Sequence, residues 1–135
     1  MNRMGTFKTT EEAQRYFSGD RFAAAGGMLL DELTDEKSRC SVILTDLHKN
    51  ANGGIMGGAI FTLADLAFAA LANQIHHPTV AQQVSINYLN APRGNRMTAE
   101  AECLKNGRST TVIVVHVRDG EGCAVAEFTG CGFKL

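Results

Sequence analysis

Charge of one sign is not in excess anywhere in this sequence: 13 basic residues stand against 14 acidic ones, the formal net charge is −1, and no run or stripe of Lys and Arg occurs. Phosphate backbones and anionic bilayers are held by clustered cations, so neither a nucleic-acid nor an anionic-membrane surface is expected. Cysteine is scarce and scattered. Cys40, Cys103, Cys123 and Cys131 form no CxxC pair and the opening residues carry no leader-like pattern, so reduced thiols in a cytoplasmic protein are expected and a disulfide framework is not. Cys and His are never grouped at ligand spacing, which leaves no motif for zinc, and no metal or cofactor is implied. Internal repeats and low-complexity segments are missing as well.

Charge is also missing from the middle of the chain. Between Lys49 and Arg93, with histidines neutral, Asp65 is the only formally charged residue, and it stands in NANGGIMGGAIFTLADLAFAAL, residues 50–71. An unpaired buried carboxylate costs on the order of several kcal/mol. Either local partners offset that cost or the chemistry requires the group. Residues 55–72 approach the roughly 20 apolar residues that cross a bilayer, but the central Asp65 and the isolation of the segment favour a buried helix.

At 135 residues and 44% hydrophobic content the chain is read as one domain, residues 1–135, with residues 1–20 as a helical lead-in. In TTEEAQRYF, Thr9 and Glu12 have the spacing of a capping box, which predicts a helix over 10–17 stopped by Gly19; RFAAAGG adds another turn at most. GMLLDELT and SRCSVILTD alternate as a strand hairpin, and HKNANGG follows as a loop. Gly57 to about Asn73 predicts a helix apolar or small on nearly all sides, hence buried all round, roughly 25 Å long. Four strand-like runs close the chain with turns at PRGN, KNGR and DGEG. One very apolar helix and six strands predict an α+β architecture, a curved antiparallel sheet wrapped around one long central helix.

The glycines of GGIMGG leave unhindered backbone N–H groups at a helix start, a place suited to an oxyanion. Asp65, eight residues after Gly57, falls close to the same side of the helix, where a carboxylate acts as nucleophile or base, and the alanines around it leave room for a substrate. The same residue types equally describe a buried Asp satisfied by backbone amides, or by an Asn or Thr, and an ordinary glycine turn.

HKN (48–50), GGIMGG (53–58), FTLADLAFA (61–69), INYLNAPRG and KNGRS stand in an order and spacing that resembles PaaI-type (phenylacetic-acid-degradation type) hotdog-fold acyl-CoA thioesterases, over nearly the whole chain from about residue 20. The resemblance implies Asp65 as nucleophile or general base, the Gly57 N–H as the donor that polarises the thioester carbonyl, and Asn50 as the group that positions water or carbonyl. It places Met56, Gly58 and Ala81 at the substrate, puts Arg108 and Ser109 where CoA is contacted, and offers Lys105 or Arg93 to phosphate. It also implies a site shared across a homodimer, a homotetramer of two dimers, and coenzyme A only as part of the substrate. Two positions depart from the pattern: Met56 replaces a histidine, and Ala81 stands where related enzymes carry Ser or Thr, with Thr79 near by. The expected function is hydrolysis of an aryl- or medium-chain acyl-CoA. The alternative is an acyl-CoA or small-ligand binding protein with weak or no turnover because of Met56. A hotdog hydratase fits less well, because its histidine five residues after the Asp is Ala70 here. His48 is read as shaping its loop, and His76 and His77 as capping or surface groups.

Overall fold

The computed structural model describes residues 5–135, so the first four residues of the expected lead-in lie outside it. Helix α1 is Thr10–Phe17, as TTEEAQRYF predicts. Thr9 Oγ1 accepts from the Glu12 N–H at 3.0 Å, while the Glu12 carboxylate accepts from the Lys8 N–H at 3.1 Å, one residue before the cap itself. RFAAA forms the added turn as a separate short helix, α2 (Arg21–Ala25).

Strands β1 (Leu29–Leu33) and β2 (Lys37–Ile43) form the predicted hairpin, with a bulge between Leu30 and Glu32. The loop that follows is partly ordered as a 3-10 turn at Asp46–His48 before the central helix α3 (Gly57–Ile75). Then come β3 (Thr79–Tyr88), β4 (Arg96–Asn106), β5 (Thr110–Asp119) and β6 (Ala124–Lys134). All pairings are antiparallel, and the single six-stranded sheet has the order β1-β2-β4-β5-β6-β3.

The period-2 pattern turns one face of each strand toward α3. On β5 that face is Thr111, Ile113, Val115 and Val117, and in register beside it lie Met97, Ala99 and Ala101 of β4. Helix α3 answers with Leu63, Ala67, Phe68 and Leu71, all essentially inaccessible to solvent. Burying each Leu or Phe contributes roughly 1.5–3 kcal/mol, so this seam is the main source of stability. Close approach depends on Gly130 of β6: a Cβ there would lie 2.7 Å from the Phe68 ring, which stacks at 5.8 Å between centroids on Phe128. Ser38 of β2, buried, donates to the Ala67 carbonyl at 2.7 Å and tethers helix to sheet. Beyond, the inaccessible Gln74 accepts from the Phe7 N–H and donates to the Phe7 carbonyl and to Asp35, fastening the segment before α1 to the end of α3.

One expectation is corrected. Helix α3 is not buried on all sides: Gly58 is exposed and Thr62, Asp65 and Ala69 are half-buried. These positions, at i, i+4, i+7 and i+11, form one stripe. Six strands curl over only part of a helix circumference, and the sequence fills the remainder with small or polar residues rather than large apolar ones. The helix has the length and apolarity of a membrane span, yet it is packed against β2, β4 and β5.

Replacing Gly130 by Ala forces Phe68 off its rotamer and lowers stability by about 1–3 kcal/mol, read as a lower urea midpoint. Adding Phe68→Leu, which makes room for the new methyl group, recovers part of the loss.

Candidate active site

Helix α3 starts without a side-chain cap. Its N-cap is Met56, whose side chain makes no capping hydrogen bond. The first intrahelical acceptor bonds go to Ala59 and Ile60, whose N–H groups donate to the Met56 carbonyl at 3.0 and 3.4 Å, and among the described residues the Gly57 and Gly58 N–H groups have no acceptor. Unpaired donors at the positive end of a 19-residue helix make a receptor for developing negative charge.

Two side chains hold this helix start in place. Tyr88, at the end of β3, donates its hydroxyl proton to the Gly57 carbonyl at 3.1 Å, and its ring lies 3.3 Å from where a Cβ on Gly57 would stand. His48 is buried; its Nδ1 accepts from the Thr45 N–H at 3.0 Å and its Nε2, carrying the proton, donates to the Gly26 carbonyl at 2.7 Å. His48 thus shapes the loop and also joins the end of α2 to it, since the Met56 N–H donates to the His48 carbonyl at 2.8 Å. Sequence reading missed Tyr88, although its place at a strand end just before the LNAPRG turn was the available signal.

Helix α2, held by that link, overlies the uncovered stripe of α3 and leaves two clefts that share Phe22, Phe61 and Thr62. The larger, about 510 Å³, opens at the helix start, is lined mainly by apolar groups that include Phe22, Leu47, Met56 and Tyr88, and takes in Gly58. The smaller, about 300 Å³, holds Asp65 together with Asp20 and Arg21. Asp65 has no hydrogen-bond or ion-pair partner among the described residues. Burial pushes its carboxyl above the ordinary value of 3.8, and the Asp20 charge pushes in the same direction.

The structure brings some of the expected residues together and separates others. Met56, Gly57, Gly58 and Asp65 lie on the N-terminal half of α3, but Gly57 and Asp65 are eight residues and about 12 Å apart along the axis. Asn50 is exposed and organises its own loop: its side-chain oxygen accepts from the Asn52 and Gly54 N–H groups at 2.9 and 3.2 Å. Ala81 lies early on β3, in register with Gly132. Lys105, Arg108 and Ser109 are exposed around the β4–β5 turn, which meets the other end of α3 where His76 contacts the Gly107 carbonyl at 2.8 Å. His76 caps the helix end there, and His77 meets Asn73 Oδ1 at 2.9 Å. Within one chain, therefore, the basic turn and Ala81 sit about a helix length from the Gly57 amide. Arg93 is nearer, on the loop after Tyr88, with its backbone N–H donated to Asp119 at 2.9 Å.

Comparison with known proteins agrees with this architecture. The Thioesterase superfamily profile matches residues 52–126. The chain is similar to a putative esterase of Deinococcus radiodurans, 32% identical over 111 residues that cover 81% of this chain and 75% of that protein. It is also similar to the acyl-coenzyme A thioesterase PaaI of Escherichia coli (strain K12), 27% identical over 129 residues, 95% and 92% of the two chains. The solved E. coli PaaI protein from the phenylacetic acid degradation operon superposes with a TM-score of 0.86 at 25% identity, covering 91% of this chain and 90% of that one. A hypothetical thioesterase protein from Streptococcus pneumoniae TIGR4, solved with coenzyme A, superposes with a TM-score of 0.78 at 26% identity over 87% and 94%. The chain belongs to the thioesterase superfamily and is a thioester hydrolase with the hotdog fold. Within that class it is of the PaaI type.

Because the folded state raises the Asp65 pKa, ionised Asp65 opposes folding at neutral pH, and this penalty disappears as the pH falls below the unfolded value near 3.8. Asp65→Asn is expected to raise Tm at pH 7 by roughly a few degrees, with the difference from the parent protein closing as melts are repeated toward pH 4 and below.

Proposed function

We propose that this protein hydrolyses an aryl- or medium-chain acyl-CoA to the free acid and CoA in the cytoplasm, with Asp65 as base or nucleophile and the Gly57 amide as oxyanion donor. The observation that carries the reading is the presence, along the uncovered stripe of α3, of unspent N–H groups at an uncapped helix start and of a carboxylate that has no hydrogen-bond or ion-pair partner among the described residues. A purely structural Asp would have acquired donors, because a half-buried carboxylate without them costs free energy.

As general base, ionised Asp65 takes a proton from water while the oxygen attacks the thioester carbonyl. The negative charge that develops on the carbonyl oxygen is met by the Gly57 N–H, an interaction commonly worth about 3–4 kcal/mol in the transition state. Collapse breaks the C–S bond; the thiolate of CoA leaves and receives the proton that Asp65 holds, so the carboxylate is regenerated. In the nucleophilic variant Asp65 attacks first and expels the CoA thiolate to give a mixed anhydride; water then cleaves the anhydride to the free acid and the Asp65 carboxylate, and the proton released goes to the thiolate. The apolar cleft beside the helix start supports an aryl or medium-chain acyl group, which Phe22, Leu47 and Tyr88 would contact.

Reacting atoms must lie within about 3 Å of both donor and base. The roughly 12 Å between Gly57 and Asp65 along one helix is too long for that. This separation supports a site shared across a homodimer, with Gly57 from one chain and Asp65 from its partner. The same pairing carries the partner's Ala81, Lys105, Arg108 and Ser109 toward the site, where the basic groups meet CoA phosphates. Two such dimers form the proposed homotetramer. Asn50, whose side-chain oxygen is engaged in its loop, is left with its NH2 group to orient water or the carbonyl.

A second reading, a binding protein with weak or no turnover, is favoured by Met56, 55% exposed in the cleft and without any group that donates a proton or carries charge. The readings separate in one assay. CoA release across a panel of acyl-CoA thioesters, followed with a thiol reagent, is expected, and Asp65→Asn lowers kcat/KM by roughly 10²–10⁴-fold while the fold is kept. Binding of CoA esters without release from any of them overturns the hydrolase. Met56→His, assayed on the same panel, raises kcat if the missing imidazole limits turnover.

A further inference from the structure

Helix α2 contributes more to the site than a wall. We infer that Asp20, which lines the Asp65 cleft, is a positioning residue of the active site that acts through Asp65, keeping it in the form of a poised base; this rests on the hydrolase reading of Asp65.

The placement of Asp20 carries the argument. Asp20 is the N-cap residue of α2, and Asp is among the residue types that most readily cap a helix by accepting from the N–H groups of the first turn. Here the side chain makes no capping bond; only the backbone carbonyl takes part, accepting from the Ala24 N–H at 3.0 Å. The carboxylate is thus left free of the helix it precedes, and it borders the same cleft of about 300 Å³ as Asp65. Neither carboxylate has a hydrogen-bond partner among the described residues. The charged groups facing Asp65 can be named from each element around it. Helix α2 presents Asp20 and Arg21, and Arg21 makes no ion pair with either carboxylate. The positions of α3 that share the cleft, Phe61, Thr62 and Leu66, are uncharged, and on β1 the carboxylate of Asp31 lies in a separate cleft beyond Leu66.

Two carboxylates that share a cleft, neither of them paired with its Arg21, disfavour each other's ionisation. Burial raises the Asp65 carboxyl, the Asp20 charge adds to that rise, and Asp20 is itself raised by burial. A base held closer to the operating pH is a stronger proton acceptor when ionised, and once protonated it carries the proton that the departing thiolate takes. The link through His48 to Gly26 fixes α2, and hence Asp20, over α3.

The test compares the parent protein, Asp20→Asn and Asp20→Glu by two readouts. In kcat/KM for an acyl-CoA thioester as a function of pH, Asp20→Asn is expected to move the acidic limb to lower pH, and Asp20→Glu to leave it near that of the parent. In carbon-13 NMR titration of side-chain carboxyls, which needs no turnover, the Asp65 resonance is expected to titrate at lower pH in Asp20→Asn than in the parent. A limb and an Asp65 titration that stay in place in Asp20→Asn overturn the inference, whatever happens to the overall rate, because a merely structural Asp20 scales the rate at every pH without moving the limb. If no thioester is turned over, the hydrolase reading fails by itself, while the NMR titration still supports or overturns the coupling.

Discussion

A single helix can be covered by a curling sheet on only part of its surface, and the placement of the proposed Asp65 site follows from that limit. Leu63, Ala67, Phe68 and Leu71 take the covered side of α3 and supply the burial that drives folding. Gly58, Thr62, Asp65 and Ala69 take the uncovered side. A stripe of small and polar residues along an otherwise apolar helix contributes little to stability. It is the price of keeping a face of the helix available for chemistry, and it puts a carboxylate, an uncapped helix start and an apolar cleft along one line.

The electrostatics follow from the same arrangement. Asp65 is partly withdrawn from water by α2 and has no donor among the described residues, so its ionised form is disfavoured rather than lost. At the helix start the opposite holds: Gly57 and Gly58 offer positive partial charge with no acceptor among the described residues. A site that is electron-poor at one end and holds a poised base at the other is suited to a carbonyl that must gain negative charge while water loses a proton. The separation of those two ends by about two turns of helix is the reason the proposed site is shared between two chains.

Much of this was legible in the sequence. The bounds of α1 came from Thr9 and Glu12, and those of β4 from the RMTAEAECLKN run, because capping and period-2 alternation are local signals. The residues proposed for the site's core stand out in the sequence as one carboxylate behind glycines in an otherwise uncharged stretch. What escaped is not local. Helix α2 is too short for periodicity to register, so Asp20 and Phe22 gave no sign of facing Asp65 across a cleft. Tyr88 reaches Gly57 across 31 positions, and the role of His48 as the tie to Gly26 spans 22; neither has a pattern in its own neighbourhood. The all-round apolarity of α3 predicted all-round burial because composition reports how much surface is apolar, not how much sheet there is to cover it. Likewise, sequence spacing does not show that Lys105 and Arg108 fold to the far end of α3.

The central claim is that the uncovered stripe of α3 is one half of a shared thioester site. It is tested most directly by a crystal structure of the Asp65→Asn protein with a ketone analogue of an acyl-CoA, in which CH2 replaces the thioester sulfur. The account predicts the analogue's carbonyl oxygen at about 3 Å from the Gly57 N–H of one chain, the residue-65 side chain of the partner beside the carbonyl carbon, and the acyl group in the cleft between Phe22 and Tyr88. An analogue whose carbonyl touches neither the Gly57 amide nor residue 65, or a dimer whose contacts cover the stripe and leave no room for an acyl group, would contradict it.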